Sequence, residues 1–186
     1  MNFVKYSLFP TLVLFFPQFI NSKECEKIFK LLESKKRSDH LTLIKGKSSH
    51  NESYDILSET SIDLTNAIQE YSNQSSFKLQ NKVSNSWFNI QEKDSVLIEH
   101  SHPNSIISGA IFINVEPQSS RIYFHNPNPL IYYTPTKDKV NEYTHEVVSF
   151  QPEIGDLILF PSWIRHGSNH TKNLSDKRVV ISFNTL

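Results

Sequence analysis

The stretch Val96-Leu97-Ile98-Glu99-His100-Ser101-His102 carries two histidines two positions apart, and Phe160-Pro161-Ser162-Trp163-Ile164-Arg165-His166 carries a third far downstream. A β-strand turns successive side chains to opposite faces, so on a strand His100 and His102 point the same way and can grip one metal ion. That face is shared with Val96 and Ile98 and would look into a barrel, with Glu99 and Ser101 turned away. His166 from a distant strand would close the site, because neutral imidazole is a good ligand for iron, zinc, copper and nickel. Taken singly, each histidine also reads as a strand-end or loop residue.

Arg178 follows His166 by twelve residues. Its strand sets Arg178, Val180, Ser182 and Asn184 on one face and Val179, Ile181 and Phe183 on the other. An arginine facing inward needs a partner, since an unpaired buried charge is costly. A ligand carboxylate held by the guanidinium fork would serve, and so would a protein carboxylate such as Asp176.

Outward from these motifs, the chain from Phe77 onward is a series of short apolar or alternating runs separated by turn residues. The expected strands are Ser86–Gln91, Val96–Ser101, Ile106–Val115, Arg121–Phe124, Leu130–Tyr133, Glu146–Phe150, Leu157–Phe160 and Val179–Asn184. Evenly spaced strands of this number suit a double-sheet jelly roll. The N-terminal part is different. Thr11–Phe16 reads as a buried strand within the apolar stretch Leu8–Ile20, which two prolines interrupt and which is too short to span a bilayer. Asn21 with Glu24 three residues on starts a helix, and Cys25, Ile28, Phe29, Leu31 and Leu32 give it an apolar stripe. Lys35, Lys36 and Arg37 sit where positive charge complements the helix dipole. A loop over Ser38–Ser58, a second helix over Ser61–Tyr71 and a linker over Ser72–Ser76 complete this half.

The chain has 186 residues, 38% hydrophobic and 20% charged, which suits one domain over 1–186, with supporting elements in 1–76 and a β core in 77–186. Formal net charge is zero, which argues against broad attraction to nucleic acid or anionic membranes. The single cysteine, Cys25, permits neither an intrachain disulfide nor a thiolate metal cage, and it favours a cytoplasmic setting. Only four glycines occur, none in a phosphate-binding loop, and no nucleophile elbow is present. Three of them, Gly109, Gly155 and Gly167, fall in the β half, where close packing or tight turns would use them.

The β half resembles the double-stranded β-helix of the Fe(II)/2-oxoglutarate-dependent oxygenases, in particular a little-characterised bacterial and phage branch. The resemblance rests on His100-Ser101-His102-Pro103-Asn104-Ser105-Ile106-Ile107-Ser108-Gly109-Ala110, on Gly155-Asp156-Leu157-Ile158-Leu159-Phe160-Pro161-Ser162-Trp163-Ile164-Arg165-His166, and on Asp176-Lys177-Arg178-Val179-Val180-Ile181-Ser182-Phe183-Asn184. Ser7–Thr11 and Ser86-Trp87-Phe88-Asn89 are similar to that branch as well. The resemblance implies a mainly β, cupin-like jelly roll with N-terminal helices. It also implies an enzyme that oxidises an unidentified substrate while converting 2-oxoglutarate to succinate and CO2. It makes His100, His102 and His166 the ligands of Fe(II), places Arg178 on the far carboxylate of 2-oxoglutarate, and assigns Asn89 and Ser182 supporting contacts. The chain departs from the usual pattern twice. His102 stands where an Asp or Glu is usual, and Val180 stands two after the arginine where many relatives have serine.

Two rival readings stay open at this level. One is a three-histidine cupin dioxygenase that uses no 2-oxoglutarate. The other is a non-catalytic jelly-roll binding module, in which the histidines only pack. His125, beside Tyr123, reads as a pocket-mouth or a satisfied edge residue, His170 as solvated, and His40, His50 and His145 as loop residues. Asn126–Thr144 reads as a surface loop, with a lid as the alternative. An exposed strand edge would allow a homodimer.

Overall fold

The computed structural model describes residues 3–5, 7–80, 82–133 and 139–186. Among these described residues, ten strands form two antiparallel sheets: β1 Leu14–Phe16, β2 Ser38–His40, β3 Leu43–Ser48, β4 Val83–Leu97, β5 Ile107–Asn114, β6 Ile122–His125, β7 Val147–Phe150, β8 Leu157–Pro161, β9 His166–Gly167 and β10 Lys177–Thr185. The large sheet has the order β1-β8-β5-β10-β4-β3-β2, and the small one β7-β6-β9. The α-helices among the described residues are α1 (Ser22–Ser34) and α2 (Thr65–Ser75). This is the mainly β jelly roll with N-terminal helices that the alternating runs imply.

The alternation of β5, β8 and β10 decides what lies on each side of the large sheet. Ile111, Ile113, Leu157, Leu159, Val179, Ile181 and Phe183 face one core, shared with Cys25, Ile28, Leu32, Ala67, Ile68 and Tyr71 of the helices. Ala110, Phe112, Ile158, Phe160 and Val180 face the other, where Ile122 and Phe124 of the small sheet meet them. The helices therefore cover the outside of the barrel, and the functional face of β10 looks inward. The Asn21 side chain accepts from Glu24 N at 3.0 Å and caps α1. Arg37 donates to the carbonyls of Leu32, Glu33 and Lys35 at the other end, satisfying groups the helix leaves open.

Several boundaries differ from the sequence expectation. Ser38–Ser58 is not a plain loop, because β2 and β3 form a hairpin within it. Ser86–Gln91 and the start of Val96–Ser101 belong to one strand, β4, which runs through Asp94 at φ 66°. A register shift between Ile44 and Gly46 of β3 absorbs the irregularity. α2 starts later than Ser61, after Asp63 accepts from Thr65 N, and it runs through Ser72–Ser75 on Gln69–Asn73 and Glu70–Gln74 side-chain bonds. Leu130–Tyr133 is no strand but part of a 3-10 turn, Pro129–Tyr133. There Asn126 and Asn128 accept from backbone N–H groups two residues on, an alternative to strand pairing. Of the Asn126–Thr144 loop, residues 134–138 lie outside the described residues. The strand expected over Thr11–Phe16 narrows to β1, which pairs with β8. Among the described residues no helix is long and apolar enough to cross a membrane.

Candidate metal centre

The three histidines converge, though not by the route that strand alternation suggests. β4 ends at Leu97, so His100 and His102 do not share a strand. His100 forms an isolated bridge with His166, exchanging N–H···O bonds of 3.0 and 2.9 Å in the two directions. His166 is held from its other side by β6, where it pairs with Phe124. His102 is fixed by its backbone N–H, which donates to Ser162 O at 2.9 Å. Gly167 makes the bridge possible: a Cβ there would stand 2.8 Å from Leu97 O and 3.1 Å from Glu99 Cα.

One ligand atom from each of His100, His102 and His166 lies within 4.8 Å of the others. His102 Nε2 and His166 Nε2 are 3.3 Å apart. Metal–nitrogen bonds of about 2.0–2.1 Å place neighbouring ligand nitrogens roughly 3–3.4 Å apart, so this pair already has the spacing of a coordination site. The far ring nitrogens of two ligands are occupied. His100 Nδ1 meets Ile98 O at 2.8 Å and His166 Nδ1 meets Ile164 O at 3.0 Å. With Nδ1–H donating to a carbonyl, each Nε2 keeps its lone pair for an ion. Burial lowers the pKa of all three, His102 to about 4 and His166 well below its ordinary value, so the imidazoles are neutral donors at pH 7. The donor set thus fits a divalent transition metal.

Behind the bridge, on the face away from the imidazoles, Glu99 bonds Arg165 and lies 2.8 Å from His125 Nε2. Glu99 precedes His100 and Arg165 precedes His166, so one ion pair ties together the two segments that carry these ligands. His125 is accordingly a packed residue beside Glu99 and His170, outside the cavity that the ligands line.

That cavity has a volume of about 540 Å³ and holds the three histidines together with Asn89, Arg178 and Ser182. Arg178 is 4% exposed. Its Nε donates to Ser120 O at 3.0 Å, its Nη1 to Gln91 Oε1, and its guanidinium stands 5.3 Å from the centre of the Phe112 ring. Burial pushes its pKa down to about 10, which leaves it charged at neutral pH. Among the described residues no carboxylate pairs with it, so Asp176 is not its partner. This is a cation with neutral supports and an open side on the cavity, which fits a ligand carboxylate.

Several lining residues escaped the sequence reading. Gln91, which orients Arg178, and Trp87, whose ring lies 5.5 Å from His102, share a strand face with Asn89. Period-two alternation from Asn89 would have found both. His40 and His50 also line the cavity, with ring centres 4.9 Å apart. They lie in a stretch whose polarity hid the β2–β3 hairpin, and no spacing in the sequence ties them to the other histidines.

Comparison with known proteins agrees with this fold. Residues 85–184, more than half of the chain, match the family model described as "Putative 2OG-Fe(II) oxygenase". Similar solved structures include a 2OG-Fe(II) oxygenase family oxidoreductase from Burkholderia pseudomallei, with TM-score 0.63, 13% identity, and coverage of 92% of this chain and 82% of that one. A Pseudomonas putida prolyl-4-hydroxylase has TM-score 0.62 and 9% identity over 95% of this chain and 94% of its own. HygX from Streptomyces hygroscopicus, solved with nickel and 2-oxoglutarate bound, has TM-score 0.60 and 12% identity over 93% and 82%. No curated protein matches the chain in sequence.

Proposed function

The chain belongs to the 2OG-Fe(II) oxygenase family, and from that premise we propose that His100, His102 and His166 hold the iron while Arg178 anchors 2-oxoglutarate. The observation that carries this reading is the placement of three neutral imidazoles and one buried guanidinium in a single cavity. Bound iron and 2-oxoglutarate supply an oxidant from O2, with release of succinate and CO2.

The chain's own residues divide the remaining work. Carbonyls of Ile98 and Ile164 fix the tautomers of His100 and His166 and present Nε2 to the ion. Ser120 O and Gln91 Oε1 hold the guanidinium still, so its remaining N–H groups meet a carboxylate without rearrangement. Asn89 lies one pair along from Arg178 toward the histidines, Ser182 stands level with Trp87 beside His102, and they offer an amide and a hydroxyl to the cosubstrate. Phe112, Ile122, Phe160 and Val180 give the cavity apolar walls, which raise the strength of these contacts by excluding water. We place the enzyme in the cytoplasm, a setting that its single buried thiol, Cys25, supports.

Purified protein supplied with Fe(II), 2-oxoglutarate and O2 is expected to release succinate, and His166→Ala is expected to abolish release. A mutant that releases succinate at the full rate would remove His166 from the ligand set. Substrate oxidation that proceeds equally without 2-oxoglutarate would favour the cupin-type reading instead.

A further inference from the structure

The pairing of β4 with β10 lays out the cavity in order. Four cross-strand pairs face it: Arg178 with Gln91, Val180 with Asn89, Ser182 with Trp87, and Asn184 with Asn85. Trp87 touches His102, so the metal cluster lies near the third pair. Arg178 is four residues away along β10, about 13 Å at 3.3 Å per residue. The cosubstrate, on the reading above, occupies the span between them. The other side of Trp87 is left over: Asn85, Asn184, and the rim residues Asn104, Ser105 and His50.

Apart from its histidines, this outer half is built from amide and hydroxyl side chains. Of the 27 lining residues, eleven are Ser, Thr, Asn or Gln, none is Asp, Glu or Lys, and the one arginine sits at the opposite end. An ammonium group entering here would shed water and find no carboxylate. A carboxylate would find no lysine, and no arginine short of Arg178. The backbone beside Trp87 offers nothing to a peptide strand, because Asn85 and Asn184 pair with one another and Asn184 also pairs with Ser108 of β5; the open edge nearest the cavity is that of the three-residue β2, whose His40 lines it. Peptide recognition by strand addition needs an unpaired edge. What remains is side chains that both donate and accept. Asn184 lines the cavity, and its Oδ1 already accepts from Ser108 Oγ at 2.7 Å, which leaves its amide N–H groups to donate elsewhere. Asn85 is exposed and offers an amide with both functions.

We infer that the substrate is a neutral polyhydroxylated ring, a cyclitol or a sugar unit, recognised by Asn85, Asn184 and the Asn104–Ser105 rim. A hydroxyl donates and accepts and rotates to suit its partner, so a ring bearing several of them satisfies such a wall without any charge. This inference rests on the assignment of metal and cosubstrate made under Proposed function.

The test uses the full chain loaded with Ni(II) and 2-oxoglutarate. Thermal stability and apparent Kd are measured with myo-inositol and methyl glucoside, with glucosamine and glucuronate, and with an end-capped neutral tripeptide. Succinate release is measured in parallel with Fe(II). The neutral polyols are expected to raise Tm and accelerate succinate release, and the charged sugars and the peptide are not. Asn85→Asp adds a carboxylate at an exposed position and is expected to shift the ratio of Kd values toward glucosamine by about tenfold. Stabilisation by Ni(II) and 2-oxoglutarate stays as in the wild type. Equal binding of charged and neutral sugars, a response to the peptide, or no response to either polyol would overturn the inference. A protein that Ni(II) and 2-oxoglutarate do not stabilise would overturn the site assignment along with it.

Discussion

His102 contributes no charge to the ion it is proposed to hold, so three neutral imidazoles leave a divalent metal with its full double charge. A dianionic cosubstrate then supplies the whole compensation. Metal and 2-oxoglutarate are therefore expected to strengthen each other's binding, by the same factor in each direction. Calorimetric titration of Ni(II) with and without 2-oxoglutarate measures this coupling, and His102→Asp is expected to raise metal affinity and weaken the coupling. At the other end of the cavity, Arg178→Met is expected to lower 2-oxoglutarate affinity by about 30-fold or more, since losing one partner of a buried charge pair costs roughly 2–5 kcal/mol. The buried histidines also set a pH dependence. Their folded pKa values lie below the ordinary 6.5, so below that pH the unfolded chain takes up protons that the folded one refuses. Stability of the metal-free protein is expected to be fully present above pH 6.5 and to fall as pH drops toward the His102 value of about 4. A melting temperature that is flat between these limits would contradict this. Residue identities were the most legible layer of the sequence. His100, His102, His166, Arg178, Asn89 and Ser182 all reach one cavity.

The reason the histidines meet was much less legible, because it belongs to pairs of elements. Alternation along Val96–Ser101 gave the right neighbours for a wrong cause, since the strand stops at Leu97 and a two-way bridge to His166 takes over. That bridge depends on a partner 66 positions downstream, which no local period records. Two features behind it are expected to matter. Gly167→Ala forces a Cβ against the backbone at Leu97 and Glu99 and is expected to push His100 away from His166. Glu99→Ala removes the ion pair to Arg165 and the contact to His125. It is expected to weaken metal affinity about tenfold, as outer-shell changes at metal sites do, with a small change in the melting temperature of the metal-free protein. Metal affinity equal to wild type would show that the clamp does not orient the ligands. The β2–β3 hairpin was hidden for a similar reason. Its residues are polar and short-ranged, and their pairing is completed by β4.

For the whole molecule, the layers follow from alternation in three buried strands, so the jelly roll was readable before the site. β5, β8 and β10 put one set of apolar residues against the helices and another into the barrel. Gly109 shows how tightly the helix side is filled, since a Cβ there would stand 2.2 Å from Phe183. Phe183→Ala would leave a cavity in that layer and is expected to cost about 3–5 kcal/mol by denaturant titration. The opposite face of the same strand carries Arg178, Val180, Ser182 and Asn184. The packed core and the cavity wall thus sit on two sides of a single strand. The most direct test of the central claim is a crystal structure grown without oxygen in the presence of Fe(II) and 2-oxoglutarate. One ion is expected on His100, His102 and His166, with a carboxylate of the cosubstrate on Arg178. An ion held without His102 or His166, or a guanidinium that meets no carboxylate, would contradict it.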